Sequence, residues 1–410
     1  MPSVARRMLT MGALVYAGEV IFGLPFHVAR YFRPTLLATV GMTNTELGAL
    51  FSCYGVVAML SYLPGGAIAD RCSARVLLTA SLVATGLLGL VLATLPGPWT
   101  LALVFAGFGM TTILLFWAAL IRATREWAGA DDQGKAFGLL EAGRGLVSAG
   151  LASLALIPFH RALGSLPAVA DAARRADAIE AVIYVYTAAT LLAALCVFAL
   201  VPGQAGPRPQ VAGPSPLAAV LRRPAVWLHA LLTVLAYCAY KGIDDHALYA
   251  VQAHGLSEVE GSQVVVAAAW VRPVAAVAAG YLADRTHPTT VTAWAFVGLC
   301  VGHLAFVLLP RGALTLLWMS LIATSAMIFA VRGVYFAILE ERGVPRHSTG
   351  AAVGLVSVVG FLPDVFFAPL AGWLLDRSPG AAGHHHLFLL LAATSAAGLV
   401  VTLALRRRRF

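Results

Sequence analysis

Charge is what this 410-residue sequence lacks most: 11% of its residues are charged and 60% are apolar. Soluble domains carry roughly 25% charged residues, so a soluble chain of this composition would lack the polar surface to stay dissolved. Lysine is nearly missing, with two (Lys135 and Lys241) against 26 arginines, and Asn44 is the single asparagine. Followed by Thr45-Glu46, Asn44 makes no glycosylation sequon. The five cysteines, Cys53, Cys72, Cys196, Cys238 and Cys300, stand alone. Four lie in apolar runs and Cys72 in a short loop, which leaves neither a disulfide framework nor a zinc spacing. No nucleotide-binding loop and no nucleophile–histidine arrangement is present, and no soluble domain hangs from the chain, so an enzyme is not expected. No cofactor is expected either.

The net charge is +9, but the basic residues punctuate hydrophobic runs instead of clustering on a polar domain. That distribution excludes nucleic acid as a partner and fits cytoplasmic loops of a membrane protein. At the N-terminus Arg6-Arg7 precede an apolar stretch. Glu19 interrupts it and no small-residue cleavage site stands out, so we read an uncleaved first helix.

About 20 apolar residues are needed to cross the hydrocarbon of a bilayer as a helix. Runs of that length fall near 8–30, 47–69, 76–95, 99–121, 135–158 and 179–201, and again near 226–251, 261–283, 290–309, 314–339, 349–374 and 386–405. The fold class is therefore all-α and membrane-spanning: twelve transmembrane helices in two six-helix bundles, 1–201 and 226–410. Residues 202–225 between them are too rich in proline and glycine for a helix and are read as a cytoplasmic linker. With the N-terminus inside, the cytoplasmic segments collect 17 Lys and Arg, the outer loops seven and the helices four. That asymmetry places both termini in the cytoplasm.

The halves repeat. Gly66-Ala67-Ile68-Ala69-Asp70-Arg71 closes the second helix and Gly280-Tyr281-Leu282-Ala283-Asp284-Arg285 closes the eighth, at an offset of 214 residues. The same offset pairs Glu46 with Glu260. Parallel six-helix repeats about an axis along the membrane normal are a transporter architecture.

Gly66, Asp70, Arg71 and Arg75 match the Gly-x-x-x-Asp-Arg/Lys-x-Gly-Arg/Lys-Arg/Lys loop of the major facilitator superfamily, with Ser73 and Ala74 departing from it. Gly280, Asp284 and Arg285 match in the second half, before Thr286-His287-Pro288 departs. The chain thus resembles that superfamily along its whole length, and the resemblance implies a gating role for these seven residues. Glycine admits close helix approach, and the aspartate and arginines form charge-assisted bonds that are made in one state and broken in the other. A third Gly-x-x-x-Asp-Arg, Gly372 to Arg377, falls on the outer side, and no gating role is assigned to it.

Ionisable residues within spans are costly and mark a pathway or a buried pair. Here they are Glu19, His27, Arg30, Glu141, Arg144, Lys241, Asp244, Asp245, Arg272, Arg332 and Asp364. Lys241 and its repeat mate His27 lie at one depth of the first helix of each half, and two-fold symmetry aims both at a central cavity. This is similar to the organophosphate:phosphate antiporters of the superfamily, where both positions are arginine. A point-charge lysine suits a carboxylate or other monovalent organic anion. Lys241 also has Asp244 and Asp245 at i+3 and i+4, a structural alternative that coexists with binding.

The expected substrate-binding set is His27, Arg30, Lys241, Arg272 and Arg332, although Arg30 equally fits the outer interface and Arg332 fits snorkelling. Glu141 and Arg144, at i and i+3, are expected to neutralise each other. Glu19, Asp244, Asp245 and Asp364 are the proton-coupling candidates, Asp364 alternatively a fixed ion pair. His384-His385-His386 is placed in an exposed loop, not a metal site. The function expected is a monomeric secondary transporter of a small organic anion, coupled to protons or to exchange. The alternative is a proton-driven exporter of cationic or apolar compounds. That branch carries a Gly-Pro-x-x-Gly-Gly run on its fifth helix, and Gly138, Gly143, Gly145 and Gly150 do not form one.

Overall fold

The structure is a computed structural model that describes residues 4–128, 133–164, 171–203, 221–341 and 354–407. Most of the linker 202–225 falls outside the described residues, as do Arg208, Arg342, Arg346, Arg408 and Arg409 of the charge count. Eleven helices are long and apolar enough to span a membrane. They are α1 (Val4–Tyr31), α3 (Ala74–Ala93), α4 (Pro98–Ala128), α5 (Lys135–Leu163), α6 (Ala172–Leu200), α7 (Val226–His254), α8 (Glu258–Arg285), α9 (Pro288–Leu308), α10 (Leu314–Val334), α11 (Gly354–Arg377) and α12 (Ala381–Arg407). The twelfth, α2 (Asn44–Arg71), bends by 55° between Tyr62 and Pro64. Proline supplies no N–H to the helical ladder, which accounts for a bend at that point.

Helix pairing repeats after six helices. In the first half α1 packs on α5 and α6, α2 on α4, and α3 on α6; in the second α7 packs on α11 and α12, α8 on α10, and α9 on α12. The halves meet through α2 on α11 and α5 on α8, which are also repeat mates. Exposed Trp99, Trp227, Trp294 and Trp373 lie near helix ends, the level at which amphipathic rings sit between lipid and water.

Glycine decides how closely the halves approach. A Cβ on Gly48 would lie 2.6 Å from the Ala368 carbonyl oxygen, and one on Gly55 2.5 Å from that of Asp364. The backbones of α2 and α11 are thus in direct contact. Gly145 of α5 likewise faces Pro273 of α8 at 3.3 Å. Gly66 and Gly280, towards the other ends of α2 and α8, have nothing within 4 Å of a Cβ. The halves therefore touch towards the end where α2 begins at Asn44, and the glycines of the end carrying Asp70 and Asp284 have no neighbour there.

Each half begins that contact with the same local device. Thr43 caps α2 in a reciprocal box with Glu46, and Ser257 caps α8 in one with Glu260. Each glutamate side chain reaches back to the N-cap N–H, which satisfies donors that a helix start leaves open. Regular winding then breaks near the middle of both helices: Gly23–His27, around Pro25, forms a widened turn in α1, and Gly242–Asp245, one turn further along by the 214-residue offset, a tightened turn in α7. Such irregular turns recur where side chains must be aimed.

Candidate functional site

Those two turns carry the buried charges to the seam between the halves. Glu19 of α1, 2% exposed, collects three bases. Arg272 of α8 reaches it at 2.7 Å, Arg144 of α5 at 3.1 Å and the His27 ring at 3.5 Å. Arg144 continues to Glu141 at 2.6 Å, the expected i, i+3 pair. One carboxylate thus ties α1 and α5 of the first half to α8 of the second.

The second knot is built around Asp244. It accepts from Arg30 Nε at 2.6 Å and takes Lys241 Nζ at 3.2 Å, the i+3 partner weighed in the sequence. Arg30 and Asp244 are 214 residues apart, so each is the other's repeat mate. Two mates can touch only near the axis that relates them, which puts this pair on the pseudo-two-fold. Arg30 also donates to Tyr240 Oη at 2.9 Å. Lys241 lies 3.6 Å from Asp364, whose carboxylate accepts from Tyr237 Oη at 3.0 Å. The Lys241 ammonium sits 4.6 Å from the Phe26 ring centroid and 5.0 Å from that of Phe51, both from the first half. These contacts leave it 2% exposed, as His27 is against Glu19, Tyr31 and Tyr186.

A third knot sits nearer the Asn44 end. Arg33, itself 2% exposed, pairs with Asp245 at 3.3 Å and donates to Asn44 Oδ1 at 3.2 Å. Arg30 and Arg33 are therefore buried between the halves and not set at an outer surface.

Arg332 of α10 differs from the rest. Its guanidinium stacks 3.9 Å from the Tyr240 centroid and 5.5 Å from that of Tyr237. No carboxylate lies within ion-pair distance among the described residues, and Nη1 has no hydrogen-bond partner. The stacked tyrosines, not a reach to the surface, set its position. At mid-depth the seam gathers the cations Arg30, Arg33, Arg144, Lys241, Arg272 and Arg332 with the carboxylates Glu19, Glu141, Asp244, Asp245 and Asp364, and charged contacts continue towards the Asn44 end through Asp376 and the Arg175–Glu258 pair.

The loop-motif residues lie apart from this cluster. Asp70, Arg71, Asp284 and Arg285 are exposed. Arg75 donates to the Val201 carbonyl at 2.6 Å within its own half, and Arg285 covers the Tyr281 ring at 4.4 Å. Arg122 of α4 donates to the Ala69 carbonyl at 2.5 Å and so holds the end of α2. The histidine run, expected in a loop, lies instead in the opening turns of α12, where His384 Nε2 is 3.0 Å from Gln252 Oε1. The Gly/Ala stretch before it starts the helix, since Ala381 and Ala382 are good helix formers. Among the described residues no group of three His, Cys, Asp or Glu side chains is placed to hold a metal.

Tyr237, Tyr240, Arg33, Asn44 and Asp376 were not singled out in the sequence as site residues. Tyr237 carried a usable signal, since a polar ring four residues before Lys241 shares its helix face, whereas Tyr240, next to Lys241 in sequence, does not. Asn44 and Asp376 carried none, because their partners lie in the opposite half.

Comparison with known proteins agrees with this architecture. The Major Facilitator Superfamily profile matches residues 9–364. Inner membrane protein YqcE of Escherichia coli (strain K12) is 28% identical, over 92% of this chain and 90% of its own. Inner membrane protein YihN of the same organism is 25% identical, over 90% and 88%. Among solved structures, a bacterial homolog of the human lysosomal transporter Spinster, in an inward-facing and occupied conformation, superposes with a TM-score of 0.77 at 15% identity, covering 100% of this chain and 98% of its own. The nucleoside transporter NupG (D323A mutant) gives 0.76 at 12% identity, over 97% and 99%. The repeated pairing, the loop motif and the match along nearly the whole chain agree: this protein belongs to the major facilitator superfamily of membrane transporters.

Proposed function

We propose that the protein moves a small organic anion across the inner membrane by alternating access, driven by protons or by exchange. The observation that carries this reading is Arg332. It is a cation at the seam with no carboxylate in ion-pair distance among the described residues, an N–H edge at Nη1 without a hydrogen-bond partner, and two stacking tyrosines. An oxyanion such as a carboxylate would satisfy that edge with a charge-assisted bond. Lys241, His27, Arg30 and Arg272 belong to the same site, held in place by Asp244, Asp364 and Glu19. Of the four proton-coupling candidates Asp364 and Asp245 each have a single ion pair, and that of Asp364 is the longer, with Tyr237 to take up its carboxylate besides. Protonating Asp364 would loosen one ion pair of 3.6 Å, whereas Asp244 would lose two shorter ones. With the Asp70 end in the cytoplasm, as the Lys and Arg count predicts, the conformation faces inward. The relatives named as inner membrane proteins and the inward-facing Spinster homolog support the same setting.

The test is uptake by purified protein in liposomes, with a panel of carboxylates, phosphates, cationic drugs and apolar drugs. Arg332→Ala is expected to abolish transport of the anion that the parent moves, and Arg332→Lys to restore part of it. Parent-like anion transport by the alanine variant would remove Arg332 from the site. Transport of cations alone would favour the exporter reading, in which Asp364 takes the substrate.

A further inference from the structure

The third Gly-x-x-x-Asp-Arg, on α11, has no part in the loop motif of the other two. Its aspartate sits where the halves are closed. Asp376 Oδ1 accepts from the Asn44 N–H at 3.1 Å and from Asn44 Nδ2 at 3.0 Å. Oδ2 accepts from the Thr45 N–H at 2.7 Å and from Thr45 Oγ1 at 2.6 Å. Asn44 and Thr45 are the first two residues of α2, whose N–H groups have no partner within their own helix. Thr43 satisfies the Glu46 N–H from within the first half. The start of α2 is therefore capped partly by its own chain turn and partly by a carboxylate of the opposite half. The negative charge also faces the positive end of the helix dipole.

Gly372, one turn before Asp376, makes the contact possible. A Cβ there would collide with the Asn44 carbonyl oxygen and lie 2.6 Å from the Thr45 nitrogen. Glycine and aspartate thus do separate jobs, close approach and then capture. The capture extends inward through Asn44 to Arg33 and on to Asp245. The repeat mate of Asn44 is Glu258, which opens α8 and binds across the seam differently, accepting from Thr35 Oγ1 at 2.5 Å and from Arg175 at 2.9 Å. The mate of Asp376 is Ala162, so this cap is made once.

We propose that Gly372 and Asp376 are the latch of the Asn44 end: they hold the halves together in this conformation and let go each time that end opens. The proposal rests on alternating access and not on the charge of the cargo, so failure of the anion reading leaves it standing. Opening must transfer four bonds to one carboxylate from protein to water. These bonds are part-buried, and because water replaces each partner on opening their net worth is a small part of their gross strength, which gives a reversible catch, unlike the buried knots at mid-depth.

The experiment reads both ends at once, in liposomes and by distance measurement between spin labels. Full-length protein with its other native cysteines replaced carries either Ala173→Cys with Ala382→Cys, both exposed at the Asn44 end, or native Cys72 with Thr286→Cys at the Asp70 end. Asp376→Asn is expected to raise the ratio of open to closed molecules at the Asn44 end by roughly tenfold or more, given what bonds to charged groups contribute. The Asp70 end should shorten in the same fraction of molecules. Thr45→Val, which removes a single donor, should give a smaller shift in the same sense. Should Asp376→Asn fail to fold, the Thr45→Val result decides. Unchanged distances at both ends in folded variants would overturn the latch. So would widening at the Asn44 end without shortening at the other, because a merely structural cap would fray locally and leave the far end alone.

Discussion

Replacing Asp244 by asparagine tests the seam most sharply, because that carboxylate faces two cations at once. At an effective dielectric of about 20, a contact of 2.6 Å with Arg30 is worth about 6 kcal/mol of gross attraction, and one of 3.2 Å with Lys241 about 5 kcal/mol. Desolvation offsets most of this, since the side chains are 2–6% exposed. What survives is an asymmetry. Asp244→Asn leaves two buried cations beside each other, and losing one partner of such a pair costs about 3–5 kcal/mol. Arg30→Gln with Asp244→Asn removes the uncompensated guanidinium and leaves Lys241 with Asp364. With Arg30→Gln alone closing the double-mutant cycle, it should regain at least half of the Asp244 loss, a coupling of at least about 2 kcal/mol. The exchange Arg30→Asp with Asp244→Arg should regain less, because the new arginine lies one turn from Lys241. Thermal unfolding of the purified protein in detergent reads all four, with a fall on the order of 5 °C or more for the single Asp244 variant. An Asp244→Asn protein melting within 1 °C of the parent, or strict additivity in the cycle, would refute the reasoning.

Further outcomes follow from the same geometry. Gly55→Ala places a methyl against the Asp364 carbonyl, so it should prop α2 from α11 and favour opening of the Asn44 end, seen as faster labelling of a cysteine placed at Ser52. Asp364→Asn should leave Lys241 with Asp244 alone and flatten the pH dependence of uptake; an unchanged pH profile would take Asp364 out of the proton path. Glu19→Gln should loosen Arg272 and Arg144 together and reduce transport at least tenfold while leaving the Asn44-end latch intact. A reporter fused after Phe410 should be active only when it matures in the cytoplasm; activity only in the periplasm would invert the inside–outside assignment.

The helices were legible because lipid imposes a length and a composition that soluble packing does not. The i, i+3 pairs Glu141–Arg144 and Lys241–Asp244 were legible for a related reason, since helix geometry alone brings them together. The capping boxes were readable too: Thr43 and Ser257 stand three residues before Glu46 and Glu260, the spacing such a box requires. What stayed hidden was every contact made across the seam. Nothing in the periodicity of α1 says that Glu19 meets Arg272, or that Arg33 lies between Asn44 and Asp245. The offset of 214 aligned Arg30 with Asp244 but did not say that they touch, because a repeat gives the operation and not the position of its axis. The histidine run was misplaced because glycine and alanine suit a loop and a helix start alike.

The contact between Arg30 and Asp244 has a consequence for how such a protein can be built. In a dimer of two identical half-length chains, a position on the two-fold axis faces its own copy. Arginine would meet arginine there, and aspartate would meet aspartate. Only when the two halves differ in sequence, as halves carried on one chain are free to do, can the position hold a cation in one copy and an anion in the other. This salt bridge is thus available to the fused protein and closed to any symmetric ancestor made of separate halves. It ties the stability of the seam to the two halves having become different from each other.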